Sequence, residues 1–205
     1  QALEQLERDG LLYPCFCTRA EIAASASAPH GDAGPLYPGT CRALNPAERA
    51  ARRATTPHCW RLDMGEAVAR AGPLTWEDAK AGRVVARPLL QGDVVLARKD
   101  APISYHLAVT VDDAAQQVSD VVRGEDLFAA THIHRLLQAL LGLPTPRYHH
   151  HPLLRGPDGR RLAKRDGAPT LAALRESGTD PRALAAALRR GAADELFIGK
   201  APPRA

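Results

Sequence analysis

Three cysteines constrain this chain most. Cys15 and Cys17 are one residue apart and Cys41 follows a turn-rich stretch, so all three fall within 27 residues. Between them, Gly31, Gly34, Pro35, Pro38 and Gly39 allow the backbone to fold back and bring three thiolates to one ion. A Cys-x-Cys pair is too close to bridge to itself and suits a metal better than a disulfide. The intervening Ala, Gly, Ser and Pro have little area to bury, so metal binding would supply the ordering energy that a small core cannot. Tetrahedral zinc needs a fourth ligand, and Tyr37, His30, Cys59 and His58 are all candidates. Nothing in the stretch resembles an open ligand position with a base beside it, which makes the expected metal structural. The competing reading takes the cysteines as small buried hydrophobes. Free thiols suit a reducing compartment, so a cytoplasmic location is expected.

The rest of the chain alternates helix and strand signals. Leu3 and Leu6 share a helical face and Gly10 offers a left-handed stop. Thr18 with Glu21 has capping-box spacing, and Asn45, Pro46 and Glu48 announce a helix that ends before Pro57. Residues 58 to 64, 84 to 90 and 93 to 98 read as strands, the last two joined in a hairpin across Gln91-Gly92. Leu107 to Val111 is an apolar run that reads as a further strand, followed by another at 118 to 122 and a helix from Thr131 to Leu141 stopped by Gly142. Pro169 ahead of Thr-Leu-Ala-Ala-Leu and Asp180-Pro181 ahead of Arg-Ala-Leu each signal a helix in the tail, with cap chemistry at both. The alternation favours an α/β layer. No run of 18 apolar residues is present, so no membrane span is expected.

Lysine and arginine total 27 residues, yet only Lys80, Lys99, Lys164 and Lys200 are lysine. Net charge of +4 permits a phosphate-bearing or polymeric acidic partner. Lys164 lies between Arg161 and Arg165 on a polar loop with Gly156, Gly159 and Gly167, where a mobile ammonium can reach phosphates; a solvated surface turn is the plainer alternative. Arg123 ends a strand candidate, where its planar fork could clamp a carboxylate, and the Tyr105 hydroxyl could hydrogen-bond an amine or carboxylate. His149, His150 and His151 resemble a metal tract, but neighbours on extended backbone point to opposite faces.

In order along the chain, Tyr-Pro-Cys-Phe-Cys-Thr-Arg (13 to 19), Tyr-Pro-Gly-Thr-Cys-Arg (37 to 42), Ile-Ser-Tyr-His-Leu-Ala-Val-Thr-Val-Asp-Asp (103 to 113), Val-Val-Arg-Gly-Glu-Asp-Leu (121 to 127) and Arg-Leu-Ala-Lys-Arg (161 to 165) closely resemble the glutamyl branch of the class I aminoacyl-tRNA synthetases. The resemblance covers nearly the whole chain. It implies an α/β Rossmann-like catalytic domain with a small zinc-binding insertion and a helical C-terminal segment. Residues 1 to 12 would end the first Rossmann half, 13 to 57 form the zinc region, 58 to 154 complete the insertion and second half, and 155 to 205 carry the lysine loop and terminal helices. By motif, Cys15, Cys17, Tyr37 and Cys41 would hold one structural Zn2+. Tyr105 and Arg123 would bind L-glutamate, and Lys164 would stabilise the phosphates of ATP, which enters with Mg2+. The family's Lys-Met-Ser-Lys-Ser signature stands here as Arg-Leu-Ala-Lys-Arg, so Arg161, Ala163 and Arg165 depart from it.

Within the branch the likeness is strongest to its short paralogues, which activate glutamate and transfer it to the queuosine base of tRNA(Asp). The family's first strand and helix, with a His-x-Gly-His-like ATP motif, have no counterpart here. A longer protein is therefore expected to carry them, and these 205 residues alone to be inactive. A monomer is expected. One rival reading is a glutamyl-tRNA synthetase fragment charging tRNA(Glu), although only 41 residues follow Lys164, too few for an anticodon-reading domain. The other is a non-catalytic zinc-bearing interaction module.

Overall fold

A computed structural model describes residues 1–18, 20–22, 36–99, 103–155, 161–162 and 170–191. The chain divides into two units, one of residues 1–123 with 127–150, the other of 124–126 with 151–205.

The first unit opens with α1 (Ala2–Arg8), whose stop is local chemistry: Gly10 takes φ +73°, and the N–H groups of Gly10 and Leu11 return to the carbonyls of Glu7 and Leu6. There follow β1 (Leu12–Cys15), α2 (Pro46–Thr55), β2 (Cys59–Leu62) and α3 (Met64–Ala71). Next come β3 (Thr75–Asp78), β4 (Gly82–Val85), β5 (Val95–Ala97), α4 (Tyr105–Ala115), β6 (Asp120–Gly124), α5 (Phe128–Leu141) and β7 (Arg147–His151). β1, β2 and β5 form an antiparallel sheet in that order, with Leu12 opposite Leu62 and Cys15 opposite Cys59. Strand periodicity of two divides the side chains between two clusters. Leu12, Trp60, Leu62 and Leu96 go to the main core with Leu6, Met64, Ala67, Leu107, Ile133, Leu136 and Leu137. Tyr13, Cys15, Cys59 and Val95 go to a second cluster with Tyr37 and Cys41.

Asp93 fastens the two clusters together. Its carboxylate, 4% exposed, accepts from the Tyr13 hydroxyl at 2.5 Å, the Met64 backbone N–H at 3.0 Å and Arg42 Nη1 at 2.9 Å. The Met64 bond satisfies an orphan donor at the start of α3 and places a negative charge at that helix's positive end. Arg61 Nη1 donates to the Asp93 carbonyl at 2.6 Å. Burial first, and then the Asp93 carboxylate, push the Tyr13 phenol well above its ordinary value, so Tyr13 remains a donor.

The second sheet runs β4-β3-β7-β6, with β3 antiparallel to β4 and parallel to β7. The β3–β4 turn is tied by Asp78 Oδ1, which accepts from the Lys80 and Ala81 N–H groups. Asp78 Oδ2 accepts from His150 Nδ1 at 2.7 Å, joining β3 to β7 through side chains that are 1% and 2% exposed. Trp76 packs against Phe128 and Tyr148 at centroid distances of 4.9 and 5.4 Å, seating α5 on this sheet.

In the second unit, Arg155 and Arg161 form an isolated antiparallel bridge, and the Leu162 N–H donates to the Leu154 carbonyl. Arg161 pairs with Asp126 at 2.9 Å. A Cβ on Gly124 would lie 2.6 Å from Asp126 Oδ1 and 2.8 Å from Leu153 Cδ2, so any larger residue there would have to displace the ends of both side chains. The two expected tail helices are present as α6 (Leu171–Glu176) and α7 (Pro181–Arg189), capped by Thr170 and Asp180 and burying Leu174, Leu184 and Ala187. Among the described residues, no helix is long and apolar enough to cross a membrane.

Three expectations are corrected. Residues 84–90 are not one strand: β4 ends at Val85 and Pro88–Gln91 is a 3-10 turn, because proline's fixed φ and missing N–H suit a helical first turn. No hairpin crosses Gln91-Gly92, since β4 pairs with β3 while β5 pairs with β2. The run Leu107 to Val111 lies within helix α4, burying Leu107 and Thr110 one turn apart while Thr110 Oγ1 bonds back to the His106 carbonyl. Five apolar residues fit either period. In addition, α5 starts three residues earlier than Thr131, and β6 is shifted two residues along from 118 to 122.

Two outcomes follow. Asp93→Ala leaves the buried Tyr13 hydroxyl, the Met64 N–H and Arg42 without their acceptor, and should destabilise the fold by about 3 kcal/mol or more, read from urea denaturation midpoints. Asp78 is held down at about 2, with burial pushing upward and the Ala81 N–H, His150 and the Lys80 N–H outweighing it. Its folded value lies below the unfolded one, so its stabilisation is complete above roughly pH 4 and is lost as pH falls toward about 2. Asp78→Asn should flatten the stability-versus-pH curve across that window.

Candidate functional site

Strand β1 ends by delivering Cys15 to the interior, and Cys17 follows one residue beyond Phe16. Residues 36–44 return across them. There Tyr37 and Cys41 are both buried, and the Phe16 N–H donates to Cys41 Sγ at 3.4 Å. The sulfurs of Cys15, Cys17 and Cys41 lie within 4.8 Å of one another, with Cys17 and Cys41 3.5 Å apart. All four cysteines are free of disulfides. The Tyr37 hydroxyl lies 3.7 Å from Cys17 Sγ and accepts from the Cys41 N–H at 2.7 Å. Three thiols and a phenol converging on one point form a donor set that fits a metal of borderline softness.

The electrostatics here belong to that convergence. A hydrogen bond from Cys59 draws the Cys15 thiol down to about 4 against the push of burial, with Tyr37 and Arg61 adding to the lowering. That same bond, followed by burial, pushes Cys59 up. Burial leads in pushing Cys17 up to about 11 and in raising Tyr37. The Arg61 guanidinium sits 3.9 Å over the Tyr37 ring, and Lys99 Nζ donates to the Phe16 carbonyl at 2.9 Å. Of the other fourth-ligand candidates, Cys59 sits opposite Cys15 on β2 without joining the three-sulfur group. His58 lies between the rings of Phe16 and Trp60 with Nδ1 turned to the Thr56 carbonyl. His30 is outside the described residues.

A second constellation surrounds Arg123 on β6. Its Nε donates to His150 Nε2 at 3.2 Å, and Nη1 reaches His134 Nδ1 at 3.2 Å. Nη2 donates to Thr131 Oγ1 at 2.6 Å and to the Leu127 carbonyl at 3.4 Å. The guanidinium carbon is 5.2 Å from the Tyr148 ring centroid. Arginine has five N–H donors and no acceptor. Four here meet protein acceptors, so most of the fork is spent on the protein, and among the described residues one Nη1 hydrogen meets no acceptor.

These bonds fix the histidine tautomers. His134 Nδ1 must accept from Arg123, which leaves Nε2 to donate to His106 Nδ1 at 3.1 Å. Burial, then Arg123, holds His134 down to about 2, and the same two causes lower His106, so both rings stay neutral. Tyr105 begins α4 and places its ring 5.8 Å from His134, with 51% of its surface open to solvent. Sequence reasoning therefore named Tyr105 and Arg123 but missed His134, His106 and Thr131, which unite them. An i, i+3 spacing of Thr131 and His134 on one helix face was the available signal. The three-histidine tract divides as alternation requires: His149 faces Asp120 at 3.2 Å, and His150 faces Asp78. Lys164, Ala163 and Arg165 lie outside the described residues.

Residues 1–196 match the family model for tRNA synthetases class I (E and Q), catalytic domain. A glutamyl-Q tRNA(Asp) synthetase of Symbiobacterium thermophilum is 49% identical over 184 residues, covering 88% of this chain and 55% of that protein. The protein of the same name from Nocardia farcinica is 47% identical, covering 99% and 61%. The chain thus spans little more than half the length of these relatives. The crystal structure of a glutamate tRNA ligase from Elizabethkingia meningosepticum, in complex with its amino acid, aligns over 80% of this chain and 34% of its own, with TM-score 0.61 and 26% identity. With its family-model match over residues 1–196 and these identities, this chain belongs to the catalytic-domain family of class I tRNA synthetases (E and Q).

Proposed function

We propose that this chain forms the later portion of a ligase that activates L-glutamate with ATP and transfers it to the queuosine base at the wobble position of tRNA(Asp). The observation that carries the amino-acid half is the coupling of Arg123 and Tyr105 through His134, which gathers a cation and a phenol beside a helix start. The names of the similar proteins support the choice of acceptor. In this reading the carboxylate of glutamate meets the remaining Nη1 hydrogen of Arg123 and the Tyr105 hydroxyl. A carboxylate oxygen of glutamate attacks the α-phosphorus of ATP, the bond from that phosphorus to the α–β bridging oxygen breaks, and pyrophosphate leaves with glutamyl-adenylate formed. A hydroxyl of the queuosine cyclopentene-diol then attacks the activated carbonyl, and AMP leaves. Lys164 follows charge as it builds on the departing phosphates, which is differential stabilisation of the transition state. Mg2+ would shield the same phosphates.

The converging thiols and phenol support a structural Zn2+ held by Cys15, Cys17, Tyr37 and Cys41, in a region spanning 13–57. Zinc would draw the thiols to thiolates and the Tyr37 phenol toward phenolate, opposing the burial that now raises it. A reducing cytoplasm would keep those thiols available. The segment 155–205 would carry the lysine loop and terminal helices, and the protein would act as a monomer.

The test is glutamate-dependent ATP–pyrophosphate exchange, followed by labelled-glutamate transfer, with the full gene product. Transfer to queuosine-containing tRNA(Asp) and none to queuosine-free tRNA(Asp) is expected; charging of tRNA(Glu), or absence of exchange, overturns the reading. Lys164→Ala should slow adenylate formation by roughly 10² to 10³ with a smaller change in glutamate affinity. A rate within about threefold of the parent would return that loop to an ordinary surface turn. Elemental analysis should find one zinc per chain. Cys17→Ser should lose it and Tyr37→Phe weaken it; retention in Tyr37→Phe with loss in Cys59→Ser would reassign the fourth ligand.

A further inference from the structure

Arg123 does not hold its own position. Its Nε can only donate, so His150 Nε2 must be the acceptor and the ring proton must lie on Nδ1, where Asp78 Oδ2 receives it at 2.7 Å. We infer that Asp78 and His150 are a positioning pair, a buried carboxylate fixing an imidazole tautomer so that the imidazole in turn aims the Arg123 guanidinium. The inference deepens the glutamate reading and rests on Arg123 being the glutamate contact.

Three features support a directed device over incidental packing. Asp78 is anchored independently of His150: its Oδ1 is held by the Lys80 and Ala81 N–H groups, so Oδ2 has one orientation to offer. His150 is fixed by its backbone as well, its N–H donating to Asp78 Oδ2 at 3.3 Å. Its ring stacks on Tyr148 at 10° between planes, the same Tyr148 that lies under the guanidinium. Finally, Arg123 is gripped at all three nitrogens by residues of α5 and β7 and the Leu127 carbonyl, which leaves the one Nη1 hydrogen with a fixed direction. Reversing the His150 tautomer would bring its Nε2–H against the Arg123 Nε–H, two donors face to face, and turn that hydrogen away.

Asp78→Asn performs the reversal. The amide oxygen can keep the turn's N–H groups, which leaves the NH2 facing His150 Nδ1 in place of the acceptor, gives up the longer bond from the His150 backbone N–H, and moves the ring proton to Nε2. In the full gene product the glutamate KM should rise by roughly tenfold or more, the scale of one charge-assisted hydrogen bond, with the ATP KM within about twofold. Long-range ¹H–¹⁵N spectra of His150 should show the proton move from Nδ1 to Nε2, a change that loosened packing alone would not produce. A pair of variants separates the two ends of the imidazole. His150→Gln places an acceptor near Nε2 and should retain the glutamate KM better than His150→Asn, which keeps only the donor to Asp78.

If Arg123→Ala raises the glutamate KM while Asp78→Asn and His150→Asn stay within about twofold of the parent, the positioning pair is refuted and the Arg123 assignment stands. An unchanged glutamate KM in Arg123→Ala removes that assignment and the inference with it. A rise in KM without the proton shift at His150 also overturns the tautomer account.

Discussion

Asp93, with a buried carboxylate, gathers parts of the chain that lie far from it in sequence. It receives the phenol of β1, the first N–H of α3 and an arginine that follows the last of the clustered cysteines, while its own carbonyl takes the guanidinium of β2. Water supplied such partners before folding, so each bond contributes modestly, but withdrawing the acceptor strands several donors at once. The three-stranded sheet depends on this clasp. One face of it belongs to an ordinary aliphatic core, the other to sulfur, phenol and guanidinium. Asp93 ties the polar face to the helix that the apolar face packs against.

The Arg123 region uses the opposite strategy, in which direction matters more than area. A guanidinium has no acceptor, so every imidazole it touches is forced into a defined tautomer, and the order passes from Asp78 through His150 and Arg123 to His134 and His106. In a water-poor setting such an ordered row of dipoles costs little to reorganise when charge arrives beside it. Tyr105 stands at the open end of this row.

Much of the local structure was legible in the sequence because it is determined locally. Gly10 and Gly142 stop their helices with positive φ, and Asn45 with Glu48 and Thr18 with Glu21 form reciprocal capping bonds. The cysteine cluster was legible for a similar reason, since close thiols in a stretch without a core have few alternatives. Strand pairing was not. Val95 finds Arg61 rather than the neighbouring β4, and nothing within either segment encodes that choice. The apolar run after Tyr105 is too short to betray its period. Asp78 reads as a turn residue, and it is one; its second role depends on a histidine 72 positions later.

That separation has a consequence for how the chain comes together on the ribosome. The β3–β4 hairpin can close as soon as it emerges, but its other edge pairs in parallel with β7, which arrives about seventy residues afterwards. Until then the hairpin presents an unpaired strand edge and a buried-type carboxylate with no imidazole to meet it. The β1 phenol waits still longer, 80 residues, for Asp93. Long-range closures of this kind make folding slow for a chain of this size and concentrate its hazard in the interval of synthesis before β7. Truncations upstream of residue 147 would be prone to aggregation rather than merely inactive.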